Sequence, residues 1–326
     1  MKQARLVVAM LRYRVASLLL PFLLLAPAFH SQLRQFSWRY VAAVVALFAS
    51  YIVATCLNDV FDLDVDRINH PGARDRPLVT GEATQRQLIA VALSASALAL
   101  IAGIAVGLGG IALVALSLLL NVAYSVPPVR LCSRPLAAPV VLAIAYVGVP
   151  YGLGLAAAGL RPDGLDAKVM ACFVLLFAGR MLLKDFRDRA GDAAFGKRTF
   201  LLAYGKPATL GLTLFCILAG DALLLTVLPA NLLLIGAVEA YFAAIGFQLY
   251  RLWMADDPLV ERMAIALGAR MGNAVVLTLL GFLLLSASGA ATAEMALFVV
   301  ALAAAFWFGF VYVSLKPQEA LAAYRG

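Results

Sequence analysis

Two short stretches concentrate the acids of an otherwise apolar chain. The first, CLNDVFDLDVDRINHPGARDRPLVTGE from Cys56 to Glu82, holds six of the 18 Asp and Glu residues, and Asp185, Asp188 and Asp192 supply three more. Both carry one spacing, Asp59-x-x-Asp62-x-x-x-Asp66 and Asp185-x-x-Asp188-x-x-x-Asp192. Residues at i, i+3 and i+7 share a helical face, so each triplet is expected to project as an acidic stripe from a helix end. Asp64 falls off the first stripe and is expected in solvent. Three carboxylates on one face repel each other at neutral pH unless a cation joins them. Two facing stripes would hold hard divalent ions through oxygen ligands, and Mg2+ in particular keeps open positions for phosphate oxygens. Arg67, Arg74 and Arg76 follow the first stripe, and Lys184, Arg187, Arg189, Lys197 and Arg198 surround the second. Metal with Lys and Arg neutralises a phosphate leaving group, so the pattern suits a diphosphate site.

A third element, NVAYSVPPVRL from Asn121 to Leu131, closes an apolar run. Asn121 and Tyr124 are three apart and share a face, and Pro127 and Pro128 stop the helix and turn the chain.

The elements that must carry these groups are membrane helices. Of 326 residues, 64% are hydrophobic and 13% charged, and the mean hydropathy of +0.94 lies far outside the soluble globular range. Ten apolar spans are expected, centred near Leu23, Ala49, Leu98, Ser117, Tyr146, Phe177, Ala219, Ala243, Leu280 and Ala305, each about 16 to 22 residues long. Unbroken apolar runs suit helices rather than alternating barrel strands, so the expected fold is all-α, a polytopic membrane bundle. No polar segment is long enough for a separate core, and residues 1–326 read as one domain. The first span, after Lys2, Arg5, Arg12 and Arg14, reads as a retained helix rather than a cleaved leader. With the N-terminus in the cytoplasm, 22 of the 26 Lys and Arg fall on the cytoplasmic side, which argues for N-in, C-in topology. That bias accounts for the net charge of +8 without a nucleic-acid partner. The polar stretches, and hence the chemistry, gather at the cytoplasmic face. Cys56, Cys132, Cys172 and Cys216 show no CxxC spacing and read as buried thiols, while His30 and His70 are too separated for a zinc site.

These motifs together resemble the UbiA superfamily of intramembrane prenyltransferases. Asn58, Asp59, Asp62 and Asp66 match its NDxxDxxxD signature, and Arg76, Pro77 and Gly81 match the RPxxxG continuation. YSVPPVRL is similar to its Y[ST]xPPxRLK element, and DFRDRAGDAAFGKRTFLLAYG resembles its second aspartate motif and GxxT…G tail. The likeness covers the first seven spans in order. It implies a central lipid-facing cavity in which two Mg2+ ions bind an isoprenyl diphosphate. Asn58, Asp62 and Asp66 would be ligands from the first motif and Asp188 and Asp192 from the second, with Asp59 and Asp185 in support. Arg130 and Lys184 would bind phosphate, Tyr124 would face the allylic carbon, and Arg67, Arg76, Asn121, Arg187 and Lys197 complete the expected substrate-binding set. Ionisation of the allylic diphosphate in a water-excluding apolar chamber would precede capture by an aromatic carbon or a hydroxyl of a hydrophobic acceptor within the lipid.

Two features depart from the family pattern. Cys132 stands where relatives often carry Lys after RL, and a tenth span near 293–315 exceeds the usual nine. The acceptor stays open among aromatic acids, quinol precursors, tetrapyrroles and lipid alcohols; Arg12 and Arg14 could bind an acidic one or simply serve the charge bias. Phosphoribosyl transfer to a polyprenyl phosphate, suggested by HPGARDRP, and terpene cyclisation are alternative chemistries. An ion-coupled transporter using the intramembrane Asp221 and Glu239 is the non-enzymatic one.

Overall fold

The computed structural model describes residues 3–33, 37–73 and 75–316, without the side chains of Gln3 and Arg14. Arg74 and the Arg14 side chain, both singled out above, therefore lie outside the described residues. The described chain is helical: α1 (Gln3–Leu11), α2 (Tyr13–Ala16), α3 (Leu20–Phe29), α4 (Trp38–Phe61), α5 (Leu63–Asn69), α6 (Gln85–Val106), α7 (Leu108–Ser125), α8 (Ala137–Ala143), α9 (Val149–Ala158), α10 (Gly164–Ala194), α11 (Phe200–Leu225), α12 (Leu232–Met254), α13 (Pro258–Ser288) and α14 (Thr292–Leu315).

Every expected span centre falls on this helical framework, and eight helices among the described residues are long and apolar enough to cross a membrane. The other two expected spans differ for visible reasons. The first is short, Ser17–Phe29, because the backbone turns left-handed at Arg12 and prolines follow at Pro21 and Pro27. The sixth lies in α10, which carries Asp166, Lys168 and Arg180 within its apolar portion. Thirty-one residues make α10 about 46 Å long at about 1.5 Å per residue, well beyond a hydrocarbon core of about 30 Å. Its last turns must therefore leave the apolar layer, and they carry the second aspartate triplet.

α8 and α9 form one crossing, Ala137–Ala158, joined by a π turn at Ile144–Gly148. The turn sets Tyr146 between Tyr51 of α4 and Phe177 of α10, at ring distances of 5.9 and 5.7 Å. Phe22 of α3 extends this aromatic ladder from Phe177. α4 packs on α6, α7 and α9, whereas α10 packs on α11, α8 and α5, and α3 bridges α9 to α13. At the N-terminal end of α10, Asp163 caps the helix and Asp166 accepts from Tyr151 at 2.6 Å and contacts His30 at 3.0 Å, tying α3, α9 and α10 together. The tenth expected span is α14, which lies against α13 and α12 and leaves most of its apolar surface outward.

Candidate active site

The two aspartate triplets meet in a cleft at one end of the bundle. The cleft is lined by Asn58, Asp62, Asp66 and Arg76 from the first segment and by Lys184, Asp185, Asp188, Asp192, Lys197 and Thr199 from the second. Tyr124, Cys132, Ala138, Pro139, Leu142 and Met181 form its less polar side.

A close helix crossing brings the triplets together. Asn69, at the end of α5, donates to the carbonyl of Asp188 at 2.8 Å and accepts from the Gly191 amide at 2.7 Å. A Cβ on Gly191 would lie 2.6 Å from the Val65 carbonyl oxygen, so only glycine lets α10 approach this near. Asn69 also follows Asp62 and Asp66 at i+7 and i+3, a continuation of the acidic face that the sequence carried but acid counting overlooked.

The second triplet sits on unbroken α10, and all three of its carboxylates line the cleft. The first triplet departs from the expected continuous stripe. α4 ends at Phe61, Asp62 takes a non-helical ψ of 13°, and α5 starts anew with Asp64 and Asp66 in its first turn, where acids suit the positive helix end. Asp59, on the α4 side of this break, is 2% exposed and does not line the cleft. Arg12 donates from Nη2 to both its oxygens, at 2.6 and 2.8 Å, and Arg76 adds a contact at 3.4 Å. Asp59, expected in support of the metal ligands, turns its oxygens to these two guanidinium groups.

Four of the cleft carboxylates, Asp62, Asp66, Asp188 and Asp192, pair with cations. Lys197 bridges the motifs, 2.8 Å from Asp62 and 3.4 Å from Asp192. Arg130, held with a left-handed backbone after the proline turn, donates to Asp62 at 2.9 Å, and Arg76 pairs with Asp66. Asp188 is flanked by Arg187 at 2.9 Å, His70 at 3.3 Å and Lys184 at 3.7 Å. Asn58 donates to Asp62 at 2.7 Å, fixing that carboxylate's orientation. Neighbouring acids end up with opposite proton affinities. Burial alone would raise the Asp62 carboxyl, but Lys197 and Arg130 overrule it and hold it below the usual range. Burial pushes Asp66 up to about 7, with Arg76 opposing and Asp59 and Asp62 adding to the rise. Carboxylate and carboxamide oxygens converging on one cleft are the donor set of a hard divalent cation.

Three other expected ligand-binding residues lie elsewhere. Asn121 donates to the carbonyl of Ser50 at 3.0 Å, next to a Ser50–Ser117 hydroxyl contact of 2.7 Å, so it clamps α7 to α4 rather than lining the cleft. Arg67 is 58% exposed and pairs with Asp64 at 2.8 Å on the outer side of α5. Arg187 is also half exposed and reaches the cleft only through Asp188. His70, set aside in the sequence because it could not form a zinc site, gains its position through the α5–α10 crossing. Arg12 belongs to the site's support although 47 residues separate it from Asp59. The four cysteines are buried and free. Asp221 of α11 and Glu239 of α12, the intramembrane acids noted above, interact with each other and do not line the cleft.

The model of the UbiA prenyltransferase family matches residues 18–267. The chain belongs to the UbiA prenyltransferase family. Among characterised UbiA relatives, it is 34% identical over 176 residues to the digeranylgeranylglyceryl phosphate synthase of Methanopyrus kandleri, covering 52% of this chain and 60% of that protein. It is 35% identical over 164 residues to the homogentisate phytyltransferase of Synechocystis sp., covering 48% of this chain and 51% of that protein. The chain thus spans about half the length of the curated relatives it matches. A solved UbiA homologue from Archaeoglobus fulgidus, bound to DMAPP and Mg2+, superposes with a TM-score of 0.64 at 18% identity, over 83% of this chain and 99% of that one. At that identity the likeness establishes the fold. The family match ends within α13, so α14 lies outside it.

Proposed function

We propose that this protein catalyses Mg2+-dependent transfer of an isoprenyl group from an isoprenyl diphosphate to a small aromatic or lipid-like acceptor within the membrane. The observation that carries the reading is the convergence of two aspartate motifs, with Lys197 and Arg130 between them, beside an apolar wall. Asn58, Asp62, Asp66, Asp188 and Asp192 would hold the Mg2+, with Asp185 in support; the metal, when bound, neutralises the diphosphate and its leaving charge. The all-oxygen donor set fits that ion, and an isoprenyl diphosphate is what the A. fulgidus homologue holds with it.

The chain's own groups then divide the remaining work. Lys197, Arg130, Arg76 and Lys184 stand within reach of the same carboxylates and are available to phosphate oxygens, stabilising the charge that grows as the C–O bond breaks. Tyr124, Leu142 and Met181 line the less polar side of the cleft, where they would shield the allylic carbon from water. The bond between C1 of the isoprenyl group and the diphosphate oxygen breaks, a new bond forms from C1 to an acceptor carbon or oxygen, and the acceptor loses a proton. Because one relative is a homogentisate phytyltransferase and another a digeranylgeranylglyceryl phosphate synthase, the reading keeps both a small aromatic and a lipid-like acceptor. The clustering of basic residues at this end of the bundle supports an N-in, C-in orientation with the cleft opening to the cytoplasm. The test uses purified protein in detergent, Mg2+, isoprenyl diphosphates of several lengths, and aromatic or lipid acceptors. Diphosphate release that requires an acceptor and adds a prenyl mass supports transfer, whereas absence of release at every chain length overturns it.

A further inference from the structure

Outside the cleft, two cations from two helices converge on one buried carboxylate of a third. Glu261, in the first turn of α13, is 6% exposed. Arg189 of α10 donates to its Oε2 at 3.4 Å, and Lys206 of α11 lies 3.1 Å from its Oε1. Lys206 also donates to the Ala255 carbonyl, which closes the connection between α12 and α13. The carboxylate is buried while Lys206 and Arg189 keep 25% and 46% of their side chains exposed, so removing a cation leaves a buried charge short of a partner.

The two cations bracket the segment that carries Lys197. Arg189 precedes it on α10, and Lys206 follows it immediately after a break in α11, where Gly205 adopts φ 80° and ψ 174° and Pro207 follows. The break separates the short turn after Thr199 from the long membrane part of α11. Without an anchor at Lys206 that turn, and the Lys197 loop before it, could pivot at Gly205. With both flanks tied to Glu261, Lys197 is held against Asp62 and Asp192, with only 8% of its side chain exposed. We infer that Glu261 is a positioning residue that, through Arg189 and Lys206, fixes the Lys197 loop over the paired aspartates and so preforms the diphosphate end of the site. This rests on the functional reading given above. Glu261 does not touch the cleft itself.

The test is a double-mutant cycle read by calorimetric binding of inorganic diphosphate in the presence of Mg2+. Wild type, Glu261→Gln, Lys206→Met, Lys197→Met and the Glu261→Gln/Lys197→Met pair are compared, with Tm measured for each. Glu261→Gln and Lys206→Met are each expected to weaken binding about tenfold, the range for residues that orient ligand groups. In the Lys197→Met background, Glu261→Gln should weaken binding no further, because its effect passes through Lys197. Equal weakening in both backgrounds, or none in either, overturns the inference even if Tm falls. Should Glu261→Gln fail to fold, Lys206→Met and its pair with Lys197→Met carry the same cycle. A wild type that binds no diphosphate would instead overturn the functional reading beneath it.

Discussion

The two aspartate triplets have one spacing in the sequence and two different structures. Asp185, Asp188 and Asp192 lie on a single helix long enough to leave the apolar layer, and all three face the cleft. Asp59, Asp62 and Asp66 straddle a break, so that two face the cleft and the third turns to Arg12 and Arg76. Equal spacing therefore does not mean equal roles. The first motif gives up one carboxylate to fasten the N-terminal segment and the Arg76 loop around the site. The second keeps its three acids in the cleft and leaves fastening to Asn69, Gly191 and the cations around Glu261.

The sharpest way to break this comparison is to neutralise the two acids that hold the same place in the spacing. Asp185→Asn should lower turnover by between about 10- and 100-fold, the cost of removing a group that supports a metal site, with little change in Tm. Asp59→Asn should do the reverse. It leaves Arg12 and Arg76 without their shared carboxylate, at a cost of about 3 kcal/mol or more, so Tm falls while the folded fraction keeps most of its turnover. Thermal melts beside initial rates distinguish the two, and matching phenotypes would mean that the triplets are equivalent after all.

A pH titration separates the members of the first motif next. Asp66, raised to about 7, holds a proton below that pH and must release it before it can ligate an ion. Asp62, held low by Lys197 and Arg130, is ionised throughout that range. Apparent Mg2+ affinity should be flat above about pH 7 and fall about tenfold for each pH unit below it, as one proton competes. Asp66→Asn should weaken binding and remove that slope.

Smaller effects are expected where the motifs are merely joined. Asn69→Ala removes two interhelical hydrogen bonds and should cost about 2 kcal/mol, at about 1 kcal/mol each, seen as lower Tm and a higher Mg2+ requirement. Arg67→Ala should leave turnover unchanged and shift stability by no more than about 0.5 kcal/mol, because an exposed pair with Asp64 contributes little.

Much of this architecture is legible in the residues. Apolar length placed a helix at each span centre, α14 included, and the repeated spacing pointed to Asp62, Asp66, Asp188 and Asp192, which the cleft gathers. What escaped depends on contacts that no local pattern encodes. Periodicity assumes an unbroken helix, and the non-helical ψ at Asp62 defeats that assumption for Asp59 alone. Asn121 reads as a site residue because it shares a face with Tyr124, yet its partner Ser50 lies on another helix. Arg67 sits in a motif, but one step along a helix turns it to the outer side. Asn69 and Gly191 were legible only in part: their positions fit the stripes, while their need arises from the crossing of α5 and α10.

The central claim is that the two motifs act as one site, and Mg2+-dependent diphosphate release from an isoprenyl diphosphate tests it most directly. Asp62→Ala and Asp188→Ala should each abolish release while the purified proteins stay monodisperse and helical. Wild-type rates in either variant would contradict the account.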